Sequence, residues 1–245
     1  VPPADAARAA LNGVHLAVVP DDAAVGSGRN GGGRVVALPG SGPNARGLAR
    51  AAQSLDGHAC ADIVTASCEE HGVVWTWDHV IVPVLVGIGE QWSASGRGVE
   101  VEHLLSSAVL DAFGSCVRTG PAPVSSRVVV LACAPGEMHS LPLWAVAAAL
   151  AERRISARML GASLPIDALA SAVQRLGPAA VFVWAQLPEM ADPGVLSALP
   201  TMRPATSVLI GGPGWATDLG ELPIDVTRVT DLTDTVDRIA HAVGV

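Results

Sequence analysis

A glutamate and a histidine stand two residues apart just after an apolar stretch, and this pair carries the clearest chemical signal in the sequence. The stretch is residues 127–134, and the pair is Glu137 and His139. Such a run predicts a buried strand, and open α/β sheets bind ligands beyond the carboxyl ends of their strands. The carboxylate could accept a hydrogen bond from one ring nitrogen, which would fix the tautomer and leave the other nitrogen free to bind a metal.

A single histidine is a poor site for a bare metal ion, because zinc takes three or four protein ligands. A macrocyclic cofactor is different, since it fills the equatorial positions of its own metal and leaves an axial position for one imidazole. The sequence therefore favours His139 as an axial ligand of a macrocycle. The competing interpretation is an ordinary polar residue in a loop.

The composition of the chain excludes several classes of function. The net charge is −8, with 23 Asp and Glu against 15 Arg, and the sequence has no lysine. The acidic balance argues against nucleic-acid binding by these residues alone, and the lack of lysine excludes a Schiff-base or P-loop lysine. The longest apolar stretch, residues 80–88, is too short to cross a bilayer. We expect a cytoplasmic protein whose four cysteines, which have no C-x-x-C spacing, are buried and reduced.

The first half of the chain predicts a helical bundle. Residues 1–46 are an N-terminal segment with a Gly-rich linker, and residues 47–119 show helical periodicity. Asp56 is a candidate N-cap, Thr76 is a candidate cap of the third helix, and Pro83 is expected to bend that helix. The predicted helices are residues 48–55, 56–72, 77–91 and 99–117.

The second half, residues 126–245, alternates strands with helices, which is typical of a parallel sheet covered by helices on both faces. Five strands at this spacing predict a flavodoxin-like domain. The expected fold class is therefore α/β, with an N-terminal four-helix bundle followed by a C-terminal five-stranded parallel flavodoxin-like domain. The predicted strands are residues 127–134, 156–160, 180–184, 207–210 and 226–229, and a helical piece is predicted at residues 193–199.

This arrangement resembles the cobalamin-binding module of methionine synthase, corrinoid methyltransferase proteins and light-sensing regulators. The signature of that module is Asp-x-His-x-x-Gly, and residues 137–142 read Glu-Met-His-Ser-Leu-Pro here. The resemblance implies that His139 replaces the nucleotide base of cobalamin as the lower ligand of cobalt, and that Glu137 holds its ring. The displaced base would lie in a slot beside the central strands. Further cofactor contacts are implied for Met138, Ser140, Gly161, Ser163, Leu164, Ala185, Leu187, Gly211 and Gly212.

One position in the slot departs from this family. Ala185 stands where the family has a serine, so it lacks the hydroxyl that would bond the base. Ser163 or a backbone group would have to replace that contact.

The bundle resembles one branch of this family more closely. The runs Ile-Gly-Glu-Gln-Trp at residues 88–92 and Val-Glu-His-Leu at residues 101–104 are similar to cobalamin photoreceptors attached to MerR-type DNA-binding domains. In that group Trp92 would pack beside the 5′-deoxyadenosyl group, and Glu102 and His103 would contact the adenosyl moiety. The remaining tryptophans, Trp75, Trp77, Trp144, Trp184 and Trp215, are assigned to packing, and His71 to the surface.

A second departure concerns the upper face of the cofactor. Ser93 stands where that group has a histidine that binds cobalt after light has cleaved the Co–C bond. A bis-histidine photoproduct by this route is therefore not expected.

The resemblance implies a function in light sensing without catalysis. The chain would be the adenosylcobalamin-binding part of a transcriptional regulator, in which photolysis changes the state of a homo-oligomer, a dimer or a tetramer. DNA would be contacted only through a domain outside this chain. Two alternatives stay open: a corrinoid carrier subunit of a methyltransferase, which would hold methylcobalamin, and a light-independent cobalamin sensor or oligomerisation domain.

Overall fold

A computed structural model describes Val36 and residues 38–245 of the chain. The predicted N-terminal segment, residues 1–46, therefore lies outside the described residues apart from Val36 and residues 38–46. In the described part, helices extend to residue 119 and a parallel sheet with its own helices follows from residue 129.

Four helical segments pack together in the first half, as the hydrophobic periodicity predicts. The first begins at Pro43, because proline fits the first turn of a helix, where its missing N–H is not needed. Asp56 is the N-cap of the second, and its carboxylate accepts a hydrogen bond from the backbone N–H of Ala59 at 3.0 Å. The segments are α1 (Pro43–Gln53), α2 (Gly57–His71), a composite of α3 (Val73–Thr76), a π-helical turn (Trp77–Ile81) and α4 (Val82–Ser95), and finally α5 (Val99–Thr119).

The prediction that Thr76 caps the third segment is wrong. The segment begins directly after Gly72, where the backbone N–H of Val73 donates to both carboxylate oxygens of Glu152, at 3.0 and 3.1 Å. The hydroxyl of Thr76 instead shares a hydrogen bond of 2.9 Å with the hydroxyl of Ser67. A side chain from the second half of the molecule therefore caps this helix.

A widened π-helical turn, and not a simple bend, precedes Pro83. Proline has no N–H to donate, and its ring crowds the carbonyl four residues earlier, which here belongs to His79. The whole stretch Val73–Ser95 is long and apolar enough, by length and composition, to cross a membrane, and 44% of its most apolar window is buried. Its buried face packs inside the bundle through Val80, Ile81, Val84 and Ile88.

Five parallel strands form one sheet in the order β2-β1-β3-β4-β5, which confirms the predicted fold class. The strands are β1 (Val129–Cys133), β2 (Ala157–Gly161), β3 (Ala180–Trp184), β4 (Ser207–Gly211) and β5 (Val226–Arg228). The winding reverses between β1 and β3, and ligands of this fold bind outside the carboxyl ends of the strands at that point. Three α-helices cover the sheet: α6 (Leu141–Glu152), α7 (Ile166–Leu176) and α8 (Leu232–Val243).

The helical piece predicted at residues 193–199 is a 3₁₀-helix, Pro193–Ala198, preceded by a shorter one, Pro188–Met190. Leu199 comes directly before Pro200, and the proline ring keeps the preceding residue extended. Leu199 accordingly has a ψ of 135°. Two prolines seven positions apart leave too little room for a regular α-helix.

The sheet separates two apolar layers. On one face, strand residues such as Leu131 and Phe182 pack with α6, α8 and the helical bundle. On the other face, Val130 and Val181 pack with α7 and the 3₁₀-helices. Because successive strand residues point to opposite faces, the parity of a residue in its strand decides whether its side chain points toward the bundle or away from it.

Candidate functional site

Glu137 holds the imidazole of His139 in the loop that follows β1. The Nδ1 atom of His139 lies 2.6 Å from the Oε1 atom of Glu137, and the backbone N–H of His139 donates to the same oxygen at 2.8 Å. A carboxylate only accepts, so the proton of the neutral ring is on Nδ1. Nε2 then carries a free lone pair, and no residue in the described part of the chain bonds to it. With 31% of the side chain exposed, this nitrogen is placed to bind a metal.

Glu137 also joins this loop to the end of β3. Its Oε2 atom accepts hydrogen bonds from the backbone N–H groups of Gln186 at 2.7 Å and Leu187 at 3.1 Å. The side chain has no exposed surface. Burial raises the pKa of this carboxyl, but hydrogen bonds from the ring and backbone of His139 and from the backbone of Gln186 outweigh it, and the pKa falls to about 2. Glu137 is therefore an ionised carboxylate that connects the loops on both sides of the switch point.

Cys133, the last residue of β1, lies against the same loop. Its thiol donates to the carbonyl oxygen of His139, with sulfur and oxygen 3.8 Å apart. Burial, together with the negative charge of Glu137, raises the pKa of this thiol to about 12. Only a thiolate is a strong metal ligand, so Cys133 stays protonated and does not compete with His139.

A large open cleft of about 2530 Å³ separates the bundle from the sheet domain. Sites for ordinary small ligands measure roughly 300–1,000 Å³, so this cleft is shaped for a much larger molecule. It brings together eight of the predicted site residues: Met138, His139 and Ser140 after β1, Trp92, Glu102 and His103 from α4 and α5, and Gly211 and Gly212 at the end of β4.

Glu102 is partly engaged within its own helix. Its Oε1 atom accepts a hydrogen bond of 2.7 Å from the hydroxyl of Ser106, one helical turn away. This contact orients the carboxylate, and its second oxygen has no partner among the residues that the structure describes. The neighbouring His103 is exposed at the same wall.

One part of the cleft is lined by the sheet and by the first turn of α8, and this part is called the slot below. Phe182 and Trp184 line it from β3, and Gly211, the last residue of β4, lines it together with Gly212. A Cβ atom at Gly211 would lie 2.7 Å from the ring of Phe182, and one at Gly212 would lie 2.2 Å from the carbonyl oxygen of Ala185. The protein's own packing therefore requires both glycines, which also keep this side of the slot free of side chains.

Five residues that the resemblance assigned to cofactor contacts lie outside the lining of the cleft: Gly161, Ser163, Leu164, Ala185 and Leu187. Ala185 and Leu164 belong to the apolar layer on the opposite face of the sheet. Ser163 and Leu187 act through their backbone, since the N–H of Ser163 donates to the carbonyl of Glu137 at 2.7 Å and that of Leu187 to its carboxylate. Ser163 and Leu187 thereby hold Glu137 in place beside His139.

The structure adds residues that sequence reasoning had assigned to packing or to the surface. Trp75 stacks between His71 and His79, with ring centroids 4.0 and 4.8 Å away, and all three line the cleft. The spacing of four residues between Trp75 and His79, which lie on one helical segment, would have indicated a shared face. His71 ends the preceding helix, so no local spacing indicated its contact with Trp75. Trp184 also lines the slot, and its indole N–H is buried without an acceptor in the described part of the chain.

These features suit a metal macrocycle with a tail. Among Val36 and residues 38–245, no three His, Cys, Asp or Glu side chains cluster as ligands of a bare metal ion. The unbonded Nε2 of His139, the volume of the cleft and the buried indole N–H of Trp184 all fit a cofactor that brings its own equatorial ligands. The fold and the site define a flavodoxin-like ligand-binding domain that is capped by a helical bundle and presents one histidine to the cleft, with its Nδ1 bonded to Glu137.

Comparison with known proteins agrees with this class. Residues 127–239 match the family model of a B12 binding domain, and residues 45–116 match a second B12 binding domain model. The two matches together span most of the chain and, with the likeness to the repressor CarH, identify it as a CarH-like cobalamin-binding module.

Two individual proteins illustrate the likeness. The chain is 30% identical over 128 residues to the HTH-type transcriptional repressor CarH of Myxococcus xanthus, a match that spans 52% of this chain and 42% of the repressor. The chain thus spans less than half the length of that relative. The monomethylamine corrinoid protein of Methanosarcina barkeri has the same fold, with a TM-score of 0.60 and 12% identity over 79% of this chain and 95% of that one.

Proposed function

We propose that this chain is the adenosylcobalamin-binding, light-sensing part of a transcriptional regulator and does not catalyse a reaction. The observation that carries the proposal is that Trp92, Glu102 and His103 line the bundle wall of the same cleft whose other wall presents His139. A carboxylate accepts from ribose hydroxyls and an imidazole donates or accepts, while an indole gives a flat apolar wall. A methyl group on cobalt would have no use for these polar side chains. Likeness to a transcriptional repressor supports the regulatory part of the proposal.

Each residue has a defined task in this proposal. Adenosylcobalamin, when bound, supplies a Co–C bond that light cleaves. Glu137 keeps the proton of His139 on Nδ1 and so keeps Nε2 available below the metal. Glu102 and His103 hold the adenosyl group and thereby hold the bundle against the sheet domain. Loss of that group would remove these contacts and would free the bundle to move relative to the sheet.

The proposal extends to partners and location. A moving bundle surface would change contacts between copies of the chain, so we place the protein in a homo-oligomer, a dimer or a tetramer. With a net charge of −8, the chain would contact DNA through a separate DNA-binding domain. Such a regulator would act in the cytoplasm.

Light is expected to change both the spectrum and the assembly of the loaded protein. The full chain is mixed with adenosylcobalamin in the dark, and its absorption spectrum and gel-filtration elution volume are recorded before and after green light. We expect a coloured complex, a spectral change on illumination and a shifted elution volume. A sample kept in the dark is the control, and an elution volume that light leaves unchanged would count against light-controlled assembly.

A double substitution separates this proposal from its alternatives. Glu102→Ala together with His103→Ala is expected to weaken adenosylcobalamin binding about tenfold or more, as the loss of two hydrogen-bonding side chains implies. Methylcobalamin affinity should stay unchanged. The matched control is Glu100→Ala, an exposed acid on the same helix that does not line the cleft.

The alternatives predict different outcomes of the cobalamin titration and of gel filtration under light. A corrinoid carrier subunit, the class to which the Methanosarcina barkeri neighbour belongs, would bind both cobalamins alike before and after the double substitution. A light-independent cobalamin sensor would discriminate between the upper ligands but keep its elution volume under light. A chain that has become an oligomerisation domain only would take up no cobalamin.

A further inference from the structure

The indole of Trp184 holds a buried N–H group that has no acceptor within the described residues. Buried polar groups in folded proteins are nearly always hydrogen-bonded, so such a group requires an explanation. Tryptophan can only donate. The indole N–H of Trp215 is also buried without an acceptor among the described residues. Trp215, however, is 1% exposed and lies in the apolar layer away from the cleft, whereas Trp184 lines the slot.

The position of Trp184 points its side chain to the ligand end of the sheet. It is the last residue of β3 and is in register with Cys133 of β1 and Gly211 of β4. The thiol of Cys133 contacts the backbone of His139, and a Cβ atom at Gly212 would lie 3.2 Å from the indole of Trp184. The indole therefore lies between the His139 loop and the pair of glycines.

The slot around this indole is otherwise apolar on several sides. The ring of Phe182 lies beside it, with centroids 6.5 Å apart, and Ala145, Val146 and Val229 line the same cleft. An apolar pocket with a few placed polar groups is the usual design of a specific ligand site. A flat heterocycle in this slot would bury its edge, and any acceptor on that edge would need a donor.

We infer that the indole N–H of Trp184 donates a hydrogen bond to the free ring nitrogen of the benzimidazole base of cobalamin when that base occupies the slot. The inference rests on the proposed role of His139: once the imidazole takes the lower axial position, the base nitrogen has left cobalt and carries an unused lone pair. The hydrogen bond serves the recognition that Ala185, which lacks a hydroxyl, cannot provide. Trp184 thereby selects lower bases that carry an acceptor nitrogen.

The test compares two ligands in two proteins. Cobinamide has the corrin ring and cobalt of cobalamin but lacks the nucleotide and its base. Trp184→Phe is expected to weaken cobalamin binding about 3- to 10-fold, the usual effect of one hydrogen bond, and to leave cobinamide binding unchanged. Dissociation constants are measured by absorption titration. Trp144→Phe, which removes an indole outside the lining of the cleft, is the matched control and should change neither affinity.

A spectroscopic readout makes the test independent of packing effects. In ¹⁵N-labelled protein, the indole N–H resonance that Trp184→Phe removes should move downfield on addition of cobalamin in the dark and stay in place with cobinamide. A resonance that cobalamin does not move, or a loss of affinity that is equal for both ligands, would overturn the inference about Trp184 and leave the proposed role of His139 intact. If cobalt keeps its own benzimidazole in the bound state, the axial role of His139 fails as well.

Discussion

Replacement of His139 by alanine is expected to weaken cobalamin binding by at least about 100-fold, the largest effect of any substitution in the chain. Loss of a residue that merely orients a metal ligand typically costs 10- to 100-fold in metal affinity, and His139 would be the ligand itself. His139 donates two hydrogen bonds to Glu137, one from Nδ1 of its ring and one from its backbone N–H, so neither occupies Nε2. The cofactor that the variant does bind should keep its own base on cobalt, because no other imidazole is held at this point of the described structure.

Electron paramagnetic resonance of the reduced Co(II) cofactor tests this prediction, because it identifies the nitrogen atom that is bound to cobalt. One axial ¹⁴N nucleus splits each line into three, and one ¹⁵N nucleus splits it into two. Protein labelled with ¹⁵N-histidine should therefore show doublets with unlabelled cobalamin, and His139→Ala should show triplets. His58→Ala, which removes an exposed histidine of α2 outside the cleft, is the control and should keep the doublets. Triplets from the labelled unsubstituted protein would refute axial ligation by His139.

Glu137→Gln is expected to produce the second-largest effect, on stability and on binding together. The carboxylate accepts four hydrogen bonds, two at each oxygen. An amide offers one acceptor oxygen, so its NH₂ group would face two N–H donors. Each buried donor left unsatisfied costs about 1–3 kcal/mol, and the loosened ring should lower cobalamin affinity about 10- to 100-fold. The free energy of unfolding in denaturant and an absorption titration measure the two effects.

The same substitution should remove a pH dependence. The pKa of Glu137 falls from an ordinary 4.5 to about 2 on folding, so the folded state favours the carboxylate. Its contribution of roughly 3 kcal/mol is fully present above the ordinary pKa and is lost as pH falls from about 4.5 toward 2. Unfolding measured from pH 7 to pH 3 should show about 2 kcal/mol of this loss in the unsubstituted chain and none of it in Glu137→Gln. Glu189→Gln, at an exposed position, is the control.

Much of the fold was visible in local patterns. Apolar runs and helical periodicity predicted five strands and a four-helix bundle, and the capping by Asp56 followed from its residue type. These features depend on interactions within a few positions of the chain. For the same reason the prediction of a Thr76 cap was wrong at the third helix, whose cap is Glu152, a residue 79 positions away. The helical piece predicted at residues 193–199 was confirmed, as the 3₁₀-helix Pro193–Ala198.

In the candidate site, too, some contacts follow from local sequence and others depend on the tertiary structure. The sequence by itself determined that Glu137 faces His139, because two residues of reach are enough for that hydrogen bond. Only the tertiary structure decided that the same carboxylate also binds the backbone of Gln186 and Leu187, and that Trp184 lies in the slot while Ala185 lies behind the sheet. Those contacts require β1 and β3 to be neighbours, and strand order results from packing across the whole domain, which no local pattern records.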